Sequence, residues 1–205
     1  MPTTAPHRLR RAAALAGLTL ALVPAAASAD SIAFLKDHNV WLAQPDGTGL
    51  HQVTSDGSHE RQYYSPSQAD DGTIAVARGE KILRMTQNGT VLNELDPPAL
   101  TNSVSHPMDG VPVDVEISPD GSKIAYSFVS YTCPPAASCS TRYATGYTAA
   151  DRLTPPGPSG TTFFHNPSWV TSSRTLQFGG YGSQVNIHDV GTPEARHWFD
   201  DGDYP

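Results

Sequence analysis

Eight histidines, two cysteines and a few Gly- and Asp-rich turns are the residues here whose types could do chemistry. A zinc site needs three or four ligands at short set spacings, such as His-Glu-x-x-His or paired cysteines, and the sequence contains neither. His7 lies in an N-terminal presequence, while His38, His51, His59 and His106 fall at expected turns or strand ends. His165, His188 and His197 belong to the last repeat described below. His188 and Asp189 could converge with His165 across one sheet, but surface or turn histidine is the simpler reading. No metal or cofactor is assigned.

Cys133 and Cys139 enclose five residues in "CPPAASC". Thiol redox motifs enclose two, and metal sites need further ligands, so the pair reads as a local disulfide. Closing so short a loop is worth about 2 kcal/mol on the chain-entropy account. Nucleophile signatures are missing: the sequence has no Gly-x-Ser-x-Gly elbow, no Ser-x-x-Lys and no phosphate-cradling glycine loop. Gly179 to Gln184 ("GGYGSQ") sits between two apolar runs and reads as a hairpin loop. The acidic stretches at Asp70–Gly72 and Asp200–Asp203 lack the spaced carboxylates of a calcium loop and read as turns. Catalytic residues are therefore expected to be none. Trp41, Tyr126, Phe178 and Trp198 recur at equivalent apolar positions, which suggests packing between repeats more than a ligand stripe.

The elements that would position these residues are strands. Helical periodicity is nearly absent after residue 29, and short alternating runs are separated by Gly, Pro, Asp and Asn. Ser31–Leu50 aligns without a gap on Thr73–Leu92, Ile32 falling 42 residues before Ile74. Each unit reads strand, short turn, strand, Asp-Gly or Asn-Gly turn, strand, and those dipeptides favour two-residue hairpin turns. Lys123–Thr132 and Thr175–Phe199 repeat the pattern at offsets of 50 and 52 residues. An additional strand precedes each later unit, in "RQYYSPS", "PVDVEIS" and "HNPSWV". Four antiparallel strands every 40–50 residues or so is the spacing of propeller blades. The expectation is an all-β chain: a partial β-propeller of about three and a half four-stranded antiparallel blades, with units near 30–54, 55–96, 111–156 and 161–200.

Residues 1–29 read as a secretory signal peptide: a basic start at His7–Arg11, an apolar core at Ala12–Val23, and small residues at Ala27-Ser28-Ala29. Cleavage is expected after Ala29, and Arg10-Arg11 leaves twin-arginine export open beside the general route. Of the 13 Lys and Arg residues, Arg8, Arg10 and Arg11 would leave with the presequence, so ten cations face 20 acids at a net charge of −10. Such a balance disfavours nucleic acid and anionic membrane surfaces, which recruit Lys and Arg. A secreted or periplasmic location without a later membrane span is the expectation.

"ISPDGSKIAYS" and "VWLAQPDGTGLHQVT" resemble the repeat of TolB-type β-propellers, a WD-repeat-like family of exported bacterial proteins. The resemblance implies that the first phrase joins the inner two strands of a blade. The second phrase would carry the third strand, a hairpin turn and the outer strand, which ends in a "QLT"-like triplet. Gln52-Val53-Thr54 holds that place, and Arg152-Leu153-Thr154 echoes it. The Gly-His and Trp-Asp pairs of true WD repeats are missing. TolB-type propellers have more blades than this, which implies a sequence truncated relative to its relatives or an open array. Open sheet edges would invite self-association. The function expected is a non-catalytic exported module that binds a protein or cell-envelope component, through the Cys133–Cys139 loop first. The alternative is the N-terminal propeller of a larger secreted hydrolase of the prolyl-oligopeptidase type.

Overall fold

The computed structural model describes Met1 and residues 31–101, 107–135, 138–154, 161–179, 184–192 and 194–199. Residues 2–29 of the expected signal peptide, His106, residues 180–183 and the acidic run at 200–203 lie outside the described residues. Every regular element described is a strand. β1 (Ile32–Lys36), β2 (Asn39–Ala43) and β3 (His51–Gln52) form a three-stranded sheet. β4 (Tyr63–Gln68), β5 (Ile74–Arg78), β6 (Lys81–Met85) and β7 (Val91–Leu95) form a four-stranded one in sequence order. A small pair, β8 (Leu100–Thr101) and β9 (Pro107–Met108), follows and has no counterpart in the repeat. β10 (Asp114–Ile117), β11 (Lys123–Thr132), β12 (Ser140–Ala149) and β13 (Thr161–Thr162) make the third sheet. β14 (His165–Thr171), β15 (Arg174–Phe178), β16 (Val185–Asp189) and β17 (Arg196–Phe199) make the fourth. Among the described residues the array is a partial β-propeller of three four-stranded blades and one three-stranded blade.

The repeat holds at the level of register. β1 pairs with β2 from Ile32↔Ala43 to Lys36↔Asn39, and β5 pairs with β6 from Ile74↔Met85 to Arg78↔Lys81, each residue 42 positions on. One expectation is corrected. The Asp-Gly and Asn-Gly turns are three-residue loops, closed by Gln44 N–H to Thr48 O at 2.8 Å and by Thr86 N–H to Thr90 O at 3.0 Å. A two-residue turn of the hairpin type needs positive φ at its first central residue, and here only Gly47 and Gly89 adopt it, both at φ 81°. Asp46 stays out of that region because its carboxylate accepts the N–H of Thr48 at 2.9 Å. The two-residue turn of the first sheet lies elsewhere, at Asp37-His38, with φ of 50° and 65° and no glycine. Two boundaries also differ from the repeat pattern. β13, paired to β12, falls in the stretch assigned to the next unit, and Arg152-Leu153-Thr154 lies in the connection between them, not on an outer strand.

Successive sheets stack face to face around their inner strands. Val115 and Ile117 donate their N–H groups to the hydroxyls of Ser65 and Ser67, at 2.9 and 2.8 Å. Asn166 N–H reaches Asp114 at 3.0 Å, and the Trp169 indole N–H reaches Glu116 O at 2.9 Å. Residue numbers rise together across both seams, so β4, β10 and β14 run side by side in one direction. Side chains of one inner strand thus satisfy backbone donors of the next, which removes a polar liability from the interior.

The first two seams are apolar. Val40, Leu42, Tyr63, Ile74, Val76 and Met85 join the first and second sheets. Ala75, Ile82, Leu100, Val115, Ile124, Tyr126 and Phe128 join the second and third. Tyr126 is 0% exposed, and its hydroxyl has no hydrogen-bond partner among the described residues. Tyr126→Phe should therefore raise the unfolding free energy by about 1 kcal/mol in urea titration. A decrease would show that the hydroxyl is satisfied after all.

Candidate binding surface

In a four-stranded antiparallel blade, the turn between strands two and three lies at the end where strand one begins. Because the inner strands run in one direction, the Asp37-His38 turn, the Gly79-Glu80 turn, the Cys133–Cys139 end of the β11–β12 hairpin and the strand ends at Phe178 and Val185 all lie at one end of the array. β11 and β12 are twice as long as β5 and β6. Their outermost pairs, Val129↔Tyr143 to Thr132↔Ser140, continue the hairpin past the blade. Four residues at roughly 3.3 Å each project it about 13 Å. Cys133 and Cys139 occupy the next register position and are disulfide-bonded, with Cα atoms 4.1 Å apart. The bridge closes the hairpin tip, and Tyr131 beside it is 71% exposed.

An aromatic cluster flanks the base of the hairpin. Tyr143 stacks on His165 with ring centroids 4.0 Å apart, and Phe178 meets His165 edge-on at 5.6 Å. Phe163, Val111 and Val113 are exposed nearby in sequence, ahead of β14 and β10. At the same end, a cleft of ≈ 390 Å³ is lined by Gln62, Tyr64, Arg78, Lys81, Glu94 and Val111, among others. Its charges are largely matched: Arg78 pairs with Asp56 at 2.8 Å and Lys81 with Glu94 at 2.5 Å. Tyr63 donates to Asp56 at 2.9 Å under the Arg78 guanidinium. Burial and then the Asp56 hydrogen bond push the Tyr63 hydroxyl up to about 12, so it stays a donor. This end of the array thus gathers a projecting hairpin, aromatic side chains and a polar cleft.

The sequence-flagged residues disperse. His38 meets His59 edge-on at 6.1 Å, and His38 Nδ1 lies 3.2 Å from Gln62 Oε1. His51 is exposed on β3 and His197 on β17. Among the described residues, no three His, Cys, Asp or Glu side chains are grouped to hold a metal. Asp70–Gly72 is a turn in which Asp71 accepts the N–H of Thr73 at 2.8 Å. Gly179 N–H donates to Gln184 O at 3.0 Å, closing a connection between strands. Tyr126 packs between blades, whereas Phe178 and Trp198 remain 40% and 55% exposed.

His188 corrects the surface-or-turn reading: it is 0% exposed, in a polar seam between the third and fourth sheets. Its Nε2 lies 3.1 Å from Thr192 O, an atom that only accepts, so Nε2 carries the proton. Nδ1 therefore accepts the Tyr147 hydroxyl proton, at 3.0 Å. Tyr147 in turn accepts from Thr175 at 2.7 Å and from the Gln177 amide, whose oxygen accepts from Thr162 at 2.7 Å. Burial holds the His188 imidazole below its ordinary pKa, against the contrary pull of Thr192 O and Asp189. His165, by contrast, lies with Tyr143 and Phe178, so the two histidines do not converge. A signal for this seam was present in the alternate polar residues of "TLQF" and "ATGYT", which put Thr and Gln where earlier repeats have Ile and Val.

No family model matches the chain, and no curated protein matches it. Among solved structures, the chain is similar to one in a crystal structure of the mitotic checkpoint complex. Identity is 11%, the match covers 94% of this chain and 74% of that one, and the TM-score is 0.37.

Proposed function

We propose that this chain is a non-catalytic, exported β-propeller module of the TolB type that binds a protein or cell-envelope component through the end bearing the disulfide hairpin. The observation that carries the reading is the ten-residue β11–β12 hairpin, bridged at its tip by Cys133–Cys139 and exposing Tyr131. A rigid, covalently closed projection loses little conformational entropy on docking, and scaffold loops are where binding residues gather. The disulfide is compatible with the oxidising compartment that an export signal would reach. The anionic composition favours a partner surface that is neutral or basic.

The test is capture of envelope and secreted proteins on immobilised chain, compared with a Tyr131–Arg142 deletion and with Tyr131→Glu. The expected result is a partner retained by the parent chain and reduced about tenfold by Tyr131→Glu. Unchanged recovery on both variants would remove the hairpin from the binding surface.

A further inference from the structure

The first and last sheets each present a face built like the inside of an intersheet seam. Ile74, Val76, Leu83 and Met85 form one face of the second sheet, all 5% exposed or less, packed on the first sheet. Their equivalents 42 positions earlier are Ile32, Phe34, Trp41 and Ala43, which the pairs Ile32↔Ala43 and Phe34↔Trp41 put on one face of the first sheet. No sheet among the described residues covers that face: Ile32 is 51% exposed, Phe34 and Trp41 are half-buried with the Lys36 ammonium 4.8 Å over the Trp41 ring, and the small Ala43 is buried.

The other half of the seam recurs on the fourth sheet. Ser65 has φ 46° and Asn166 has φ 49°, each opening a bulge before Pro, and they lie 101 residues apart. The same offset takes Ser67 to Ser168, Ala75 to Leu176 and Ala77 to Phe178. In the second sheet this face is covered by β10, with Ala75 and Ala77 at 0% exposure. In the fourth, Leu176↔Ile187 and Phe178↔Val185 lie on the face opposite the His188 seam, and Phe178 is 40% exposed. Asn166 and Ser168, counterparts of the serines that cap β10, are exposed.

The geometry points to head-to-tail association of two copies, the outer face of the fourth sheet in one copy docking on the outer face of the first sheet in the other. The occupant follows from continuity: within the chain, a face of this kind is covered by the next sheet of the same repeat. Among the described residues these two outer faces have no sheet upon them, and they are the two different halves of one seam, apart from the leading strand that the first sheet lacks. Such a heterologous contact closes into a ring if the rotation allows. Two copies supply eight blades, two of them three-stranded, at the upper end of the typical four to eight blades of closed propellers. The contact is made by sheet faces, not by the sheet edges expected from the sequence; because Phe178 also meets His165 in the cluster at the hairpin base, Phe34→Asp is the substitution that tests the contact apart from the hairpin end.

Light scattering on the purified chain from about 1 μM to about 1 mM tests this. The parent chain should dimerise, and Phe34→Asp or Phe178→Asp should each weaken dimerisation about tenfold or more. Both positions are at least partly accessible, and far-UV circular dichroism verifies the fold of each variant. An equimolar mixture of the two variants keeps one intact contact and should associate one to one, more weakly than the parent. A parent chain monomeric throughout the range, a dimer insensitive to both substitutions, or a mixture that never associates would each overturn the proposal.

Discussion

Gly89→Ala is expected to cost about 3 kcal/mol or more, whereas Gly47→Ala, at the equivalent turn of the first sheet, costs about 1–2. Both glycines sit at φ 81°, so the strain of a left-handed alanine is common to them. Their surroundings differ. A Cβ on Gly47 meets nothing within 4 Å, while one on Gly89 would lie 2.3 Å from the carbonyl oxygen of Val53. That oxygen belongs to backbone and cannot swing away as a side-chain tip can, so the first sheet must shift from the second. Urea titration of the two variants separates the terms: the common cost is the dihedral, and the excess is the contact. Equal costs would mean that the second-sheet turn does not press on the first sheet as the structure has it.

Glu116→Gln should stabilise the chain by about 2 kcal/mol at pH 8 and leave it unchanged at pH 4. Glu116 lies on β10, and burial, then the charge of Asp114, push its carboxyl up to about 7 from the ordinary 4.5. A carboxyl whose native pKa is raised binds a proton that the unfolded chain releases. Stability therefore falls as pH rises from about 4.5 to about 7 and is flat beyond, where the buried charge persists. The size follows from about 1.4 kcal/mol per pKa unit, reduced for the solvent that still reaches the group. His188 has the opposite sign. Its native pKa is lowered by burial, so the unfolded chain takes the proton first and stability falls as pH drops below about 6.5. In the Glu116→Gln variant only the acid-side decline should remain between pH 4 and 8. A variant that keeps the parent's loss of stability from pH 5 to pH 7 would show that Glu116 is not its source.

The strands and their order were legible because this repeat writes its pattern in residue types with simple physical demands. Alternation at "KIAYSFVSYT" puts Ile124, Tyr126 and Phe128 on one face, and that face is the core. Gly and Asp marked the turns, but not their length: the dipeptide at Asp46-Gly47 is the same in a two- or a three-residue loop, and the carboxylate bond to Thr48 decides it. The disulfide was legible from the close spacing of the two cysteines together with the export expected from the N-terminal segment. The strand extension that carries it could be read only as a longer connection, since exposed Thr, Ser and Arg pair along an edge as readily as they form coil. His188 was misread because a lone histidine gives no hint of the tyrosine that receives it, which comes 41 positions earlier from another sheet. The β8–β9 pair was invisible for a similar reason: two-residue strands have no period.

The polar seam has a consequence for how the array is addressed. Apolar faces discriminate poorly, since a layer of Val, Ile and Met accepts most layers of similar volume. The seam of Tyr147, Thr175, Gln177 and His188 is different: each group spends hydrogen bonds across the joint, and a wrong neighbour would strand it in the interior. It works as a keyed joint in a stack of otherwise interchangeable tiles. The fourth sheet is thereby assigned to the third and cannot trade places with the second, whatever a newly made chain tries first.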